Sequence, residues 1–87
     1  MAETKKSIFT KKHNLFRELI IAARKNASIS QVDLAKKLKR PQSFVSKYER
    51  GERRLDIIEF LEVVKAIGIN PLKIIKELER GCENHKN

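Results

Sequence analysis

Cysteine is nearly absent from this 87-residue chain: Cys82 stands alone. No intrachain disulfide can form, and a reducing compartment, the cytoplasm, is the expected location. Long apolar runs are missing as well. Nothing approaches the roughly 20 residues of a membrane-spanning helix, and the start, MAETKKSIFTKK, lacks the apolar stretch of a secretion signal. The chain has only three glycines and two prolines, all at apparent helix borders. Neither an alternating strand pattern nor an internal repeat is present. His13, His85 and Cys82 lack metal-ligand spacing. A glycine-rich phosphate loop and a nucleophile–base set are both missing. An enzyme, a metal, a cofactor and a small-molecule substrate are therefore not expected. Acidic residues are also in short supply: 11 Asp and Glu face 20 Lys and Arg, a net charge of +9. Such an excess draws a protein to polyanions, either nucleic acid or an anionic membrane surface.

What is present is helical periodicity. The length suits one domain with a limited core, and the spacing predicts an all-α fold of five helices. Residues 1–10 have no firm period and read as a flexible basic arm. In helix 1, about Lys11 to Ala27, the residues Phe16, Leu19, Ile20, Ala23 and Ala27 form the expected buried stripe. Arg24 borders that stripe, where a half-buried cation calls for a carboxylate. Ser30 with Asp33 is a capping-box variant that starts helix 2. Helix 2 ends near Leu38, Lys39-Arg40-Pro41 is a turn, and helix 3 spans about Gln42–Arg50 with Gly51 just past its end. Asp56 is the expected cap of helix 4, whose core face is Ile57, Phe60, Val63, Val64 and Ile67, with Gly68 closing it. Asn70-Pro71 opens helix 5. Gly81 is expected to end it, with 81–87 as a flexible tail and 11–80 as the domain.

The stretch Gln31–Arg54 organises the rest. Two short helices joined by a turn can hold one helix out as a probe. On helix 3, Gln42, Ser43, Ser46 and Lys47 fall on one side, and Phe44, Val45 and Tyr48 on the other. Amide, hydroxyl and ammonium groups on the polar side suit base edges and phosphates. Phe44 is expected to pack on helix 4 rather than on a thymine methyl. Gln31, at a helix N-terminus, is placed to bind a phosphate. Between Lys36 and Arg54 eight basic residues face two acids. A solvated basic surface is the bland alternative, but the clustering around the probe helix favours DNA.

With those residues in place, the chain resembles the lambda-repressor-like (Cro/XRE-type) helix-turn-helix family over about Phe16–Leu78, most specifically in SQVDLAKKL and PQSFVSKYERGERR. The resemblance implies a five-helix bundle that binds double-stranded DNA, usually as a symmetric dimer, with helix 3 in the major groove. Base contacts would then come from Gln42, Ser43, Ser46 and Lys47, and phosphate contacts from Gln31, Lys47, Arg50, Arg53 and Arg54. It also implies a structural ion pair between Arg24 and Glu49. Three positions depart from the family pattern: Lys39 where glycine is frequent, Arg40 where an apolar residue is usual, and Pro41 in place of a serine or threonine cap. Leftover apolar positions Leu61, Ile69, Pro71, Ile74 and Leu78 are the expected homodimer surface. The expected activity is that of a transcriptional regulator on a near-palindromic operator. The alternative is a protein-binding module, an antitoxin or adaptor, holding a protein partner. A peripheral membrane role is disfavoured because no helix pairs a strong apolar face with a dense basic one.

Overall fold

Each helix begins where the chain supplies an oxygen to its free amide groups, with one exception. The computed structural model describes residues 10–86, with side chains as far as Gly81, and contains α1 (Lys11–Asn26), α2 (Gln31–Leu38), α3 (Gln42–Arg50), α4 (Ile57–Ile67) and α5 (Pro71–Lys86). The hydroxyl of Thr10 accepts from the His13 amide at 3.1 Å, and that of Ser30 from the Asp33 amide at 3.0 Å. Asp56 and Glu59 form a reciprocal capping box on α4. The Asn70 side chain accepts from the Leu72 amide at 2.9 Å ahead of α5. Only α3, entered through Pro41, has no side-chain cap. Of the expected arm, residues 1–9 lie outside the described residues, while Thr10 is the cap of α1.

The core is where the apolar stripes meet. Ile20, Leu34, Val45, Val63 and Val64 are fully buried, joined by Ala35, Phe44, Tyr48, Phe60, Ile67 and Ile74. Removing such a side chain from water contributes about 1.5–3 kcal/mol. The small Ala35 lets α2 and α3 cross closely, and α1 lies along α5, with α4 against both α1 and α2. Among the described residues no helix is long and apolar enough to cross a membrane.

Four expectations need correction. Ile57 is 61% exposed, because it opens α4 and projects past the bundle one turn before Phe60. Ala27 is exposed rather than part of the α1 stripe, because the helix ends at Asn26. Ile74 is not leftover surface but core, 4% exposed, since α5 turns it inward onto the other helices. Gly81 does not end α5, which continues to Lys86. The glycine instead permits an approach: a Cβ there would collide with Leu15 of α1.

Among the described residues, the buried charges are Arg24 and Glu49, paired between α1 and α3. Arg24 Nε donates to Glu49 Oε2 at 2.7 Å and its Nη2 to Oε1 at 3.1 Å, with both residues under one-tenth exposed. The remaining terminal nitrogen of Arg24 donates to the Ile29 carbonyl at 2.9 Å, closing the loop between α1 and α2. The fork geometry satisfies both oxygens, which is what a desolvated pair needs. Backbone strain lies nearby. Ser28 and Lys39 have φ of 60° and 58°, in left-handed conformations that follow the ends of α1 and α2.

Two outcomes follow for stability. Arg24→Ala leaves a buried carboxylate without its cation, and the expected loss is about 3–5 kcal/mol, read in a thermal melt. An unchanged melt would remove the pair from its structural role. Lys39→Gly trades a left-handed penalty of about 1–2 kcal/mol against the extra chain freedom of glycine, about 0.5–1 kcal/mol. A net gain of roughly 0.5–1 kcal/mol is expected, about 4–8 °C in Tm per kcal/mol for a domain of this size. A lower Tm would show that the Lys39 side chain contributes more than its backbone costs.

Candidate nucleic-acid interface

Helix α3 presents two different sides. Phe44, Val45, Tyr48 and Glu49 are buried; Gln42, Ser43, Lys47 and Arg50 are exposed, and Ser46 is half-buried. Burial pushes the Tyr48 phenol well above its ordinary pKa, helped by the neighbouring Glu49 charge, so it stays neutral. The turn before α3 is tied off by the Lys39 and Arg40 amides, which donate to the Lys36 and Ala35 carbonyls at 3.1 and 3.0 Å. At the far end, Gly51 takes the left-handed conformation, φ 83°, that closes the helix. Arg17 of α1 lies against this glycine and donates to the Glu49 carbonyl at 2.7 Å. A guanidinium there satisfies a carbonyl that the helix leaves unpaired.

A continuous hydrogen-bonded chain leads from the core to the exposed side of α3. Glu49, already held by Arg24, accepts from Gln31 Nε2 at 2.8 Å. Gln31 Oε1 in turn faces Gln42 Nε2 at 3.4 Å. Gln31 thus spends one of its two amide N–H groups inside the protein, and Gln42 is oriented at the start of α3. The Ser46 hydroxyl donates to the Ser43 carbonyl at 3.3 Å, which leaves its oxygen as an acceptor. Among the described residues, no ion pair involves Lys47, Lys36, Lys37, Lys39 or Arg54.

The other cations around α3 have carboxylate partners. Arg50 donates to Glu52 at 3.0 and 3.1 Å in an exposed pair. That hydrogen bonding raises the pKa of Arg50 and lowers that of Glu52. Arg53 donates to Glu59 at 3.0 and 2.7 Å, and Arg40 lies 3.7 Å from the same carboxylate and 3.8 Å from Glu62. Both Arg40 and Arg53 approach the Phe44 ring, 4.4 and 4.8 Å from its centroid. The Arg53 hydrogen bonds, then that from the Asp56 amide, pull the Glu59 carboxyl down to about 2. Burial of Phe44 and the two guanidiniums beside it leave its ring no part in the polar side.

Sequence reasoning missed the Gln31–Glu49 link, the Arg17 contact and the Arg40–Phe44–Arg53–Glu59 cluster. Some signals were available. Arg17 and Arg24 are seven apart, two turns on one face of α1; Arg40 precedes Phe44 by four; Asp56 and Glu59 have capping-box spacing. The approach of Arg53 to Glu59 depends on the path of the α3–α4 connection, which periodicity does not describe.

Of the expected dimer residues, Leu61 is 42% exposed, while Ile69, Pro71 and Leu78 are half-buried. The exposed apolar residues are chiefly Ile57, Ile58 and Leu61 of α4 with Leu72 and Ile75 of α5. Beside them is an open apolar groove of about 240 Å³ lined by Phe16, Leu55, Ile57, Phe60, Ile75 and Leu78, among others.

Comparison with known proteins matches this geometry to a family. A helix-turn-helix family model matches residues 20–74, which includes α2, the turn and α3. Among solved structures, an XRE-family like protein from Pseudomonas syringae pv. tomato str. DC3000 is similar at 42% identity with a TM-score of 0.80, over 92% of this chain and 96% of that one. No curated protein matches the chain. The bundle, the α2–turn–α3 unit and these likenesses agree: the chain belongs to the Cro/XRE-type helix-turn-helix family of DNA-binding regulators.

Proposed function

We propose that the protein is a sequence-specific, double-stranded-DNA-binding transcriptional regulator of the cytoplasm, acting as a homodimer on a near-palindromic operator. The observation that carries this reading is the chain Arg24–Glu49–Gln31–Gln42. It anchors a flexible amide in the core and leaves it at the exposed start of α3. A side chain held in one geometry loses less entropy on binding, and that is what base discrimination requires.

In this reading α3 lies in the major groove. Gln42 pairs with adenine and Lys47 with guanine, each contact discriminating by about 1–3 kcal/mol. Ser43 and Ser46 supply the smaller contacts. Phosphate contacts come from Lys47 and Arg54, from Gln31 through the head of α2, and from the two paired arginines. Arg50 gives up Glu52 at little cost, because the pair is exposed. Arg53 reaches a phosphate only by leaving Glu59, which holds it with two hydrogen bonds. In the dimer, two copies of α3 lie about 34 Å apart, one turn of DNA. The dimer surface is the patch formed by Leu61, Leu72, Ile75 and Leu78 with Ile69 and Pro71 at its rim. Ile74 contributes from beneath, as core.

Selection from a random duplex library, at near-physiological salt with competitor DNA, tests the DNA reading. A near-palindromic motif is expected, and Gln42→Ala with Lys47→Ala should abolish its recovery. Binding without a motif, or none at all, would overturn the proposal. Sedimentation tests the assembly. A dimer is expected for the native chain and a monomer for Ile75→Asp; a native monomer at high concentration would eliminate this surface.

A further inference from the structure

We propose that Glu59 is a positioning residue for the DNA-facing helix: its carboxylate gathers Arg40 and Arg53 onto the Phe44 ring and so fixes the end of α3 that carries Gln42 and Ser43. The inference rests on the DNA reading for its effect on specificity, but not for its effect on α3 itself.

The start of α3 is uncapped. Pro41 offers no side-chain oxygen to the first amides, whereas each of the other four helices has such an oxygen. A helix of nine residues with a bare start frays at that end unless tertiary contacts hold it. The contact available is Phe44, third residue of α3 and 8% exposed. Arg40 lies just before α3 and Arg53 just after it, so the two guanidiniums come from either flank of the helix. Both lie within 5 Å of one ring centroid, at 4.4 and 4.8 Å. An aromatic ring attracts one cation, but two cations at one ring repel each other unless an anion stands between them.

Glu59 is that anion. Its Oε2 is 2.7 Å from Arg53 Nη2 and 3.7 Å from Arg40 Nη1. Its Oε1 accepts from Arg53 Nη1 and from the Asp56 amide, each at 3.0 Å. The side chain is only 13% exposed, so water screens these contacts poorly. Because the Asp56 amide belongs to the cap of α4, the start of α4 and the start of α3 are coupled through a single carboxylate. Glu62, more exposed and 3.8 Å from Arg40, plays a lesser part.

Glu59→Gln separates positioning from capping, because a capping box accepts either Glu or Gln while only Glu carries the charge. Amide hydrogen exchange of the DNA-free protein is the first readout. Exchange at Phe44, Val45 and Ser46 is expected to quicken about tenfold or more, with Val63 and Val64 of α4 unchanged. Arg53→Ala, which leaves the Asp56–Glu59 box intact, is expected to give the same pattern. Unchanged exchange at α3, or equal acceleration through α4, would overturn the proposal and leave Glu59 as a cap only. The second readout uses the selected operator. Glu59→Gln should lower the ratio of operator to base-changed operator affinity about tenfold at the position read by Gln42. Equal weakening on every sequence would overturn the positioning role. Failure of the native protein to select any motif would overturn the DNA reading instead, and the exchange result would still decide the proposal.

Discussion

A buried guanidinium–carboxylate pair is an expensive way to hold two helices together, and in this protein much of the geometry of the exposed side of α3 depends on one. Removing Arg24 and Glu49 from water costs several kcal/mol per ion, and a pair of well-packed apolar residues could join α1 to α3 at less cost. Apolar contacts are non-directional, however, and permit small rotations of a helix about its axis. The two-pronged bond from Arg24 fixes both oxygens of Glu49, and with them the rotation of α3. It also leaves the lone pair that Gln31 uses. The polar chain to Gln42 can therefore start in the core without leaving a group unsatisfied. Arg17 reinforces the same residue from the backbone side, through the Glu49 carbonyl. Two arginines of α1 thus converge on one residue, one on its side chain and one on its main chain.

The charge of the molecule divides in a comparable way. A net +9 suggests a uniform attraction to phosphate, yet the cations near α3 are not equivalent. Among the described residues, Lys36, Lys37, Lys39, Lys47 and Arg54 have no carboxylate partner, and they contribute to the long-range field. Arg40, Arg50 and Arg53 are engaged by carboxylates within the fold. The distinction matters for affinity and for specificity separately. Unpaired lysines release counterions on binding and act on any sequence. Arginines spent on Phe44 and Glu59 contribute nothing to counterion release while they stay there, and their effect passes through the placement of α3.

How much of this was legible in the sequence depended on how local the cause was. Helix starts were legible at Ser30, Asp56 and Asn70 because a cap is a matter of one side chain and an amide two or three residues on. The two sides of α3 were legible because periodicity alone separates Phe44, Val45 and Tyr48 from Gln42, Ser43 and Lys47. Gly81 misled because glycine has two uses, stopping a helix and admitting a neighbour, and only the position of Leu15 distinguishes them. Ile57 and Ile74 were misplaced for a related reason. The apolar arcs of α4 and α5 are broad, and which part is buried depends on the crossing with α1. Within the site, Gln42 and Lys47 on the open side of α3 followed from spacing. The hold on Arg53 did not, because it requires the α3–α4 connection to fold back on α4.

The departures from the family pattern at Lys39, Arg40 and Pro41 belong together physically. The left-handed backbone at Lys39 costs stability without glycine, and Pro41 gives α3 no cap. Each change weakens the turn between the two helices. Arg40, in a position the pattern reserves for an apolar side chain, works in the opposite sense: it reaches Phe44 and Glu59 and secures the start of α3 from the outside. An apolar residue would bury there without direction, whereas a guanidinium shared by a ring and a carboxylate is restricted in angle as well as distance. The turn is therefore held by tertiary contacts rather than by its own backbone preferences. It follows that the placement of Gln42 and Ser43 depends on side chains of α4 that need never touch DNA.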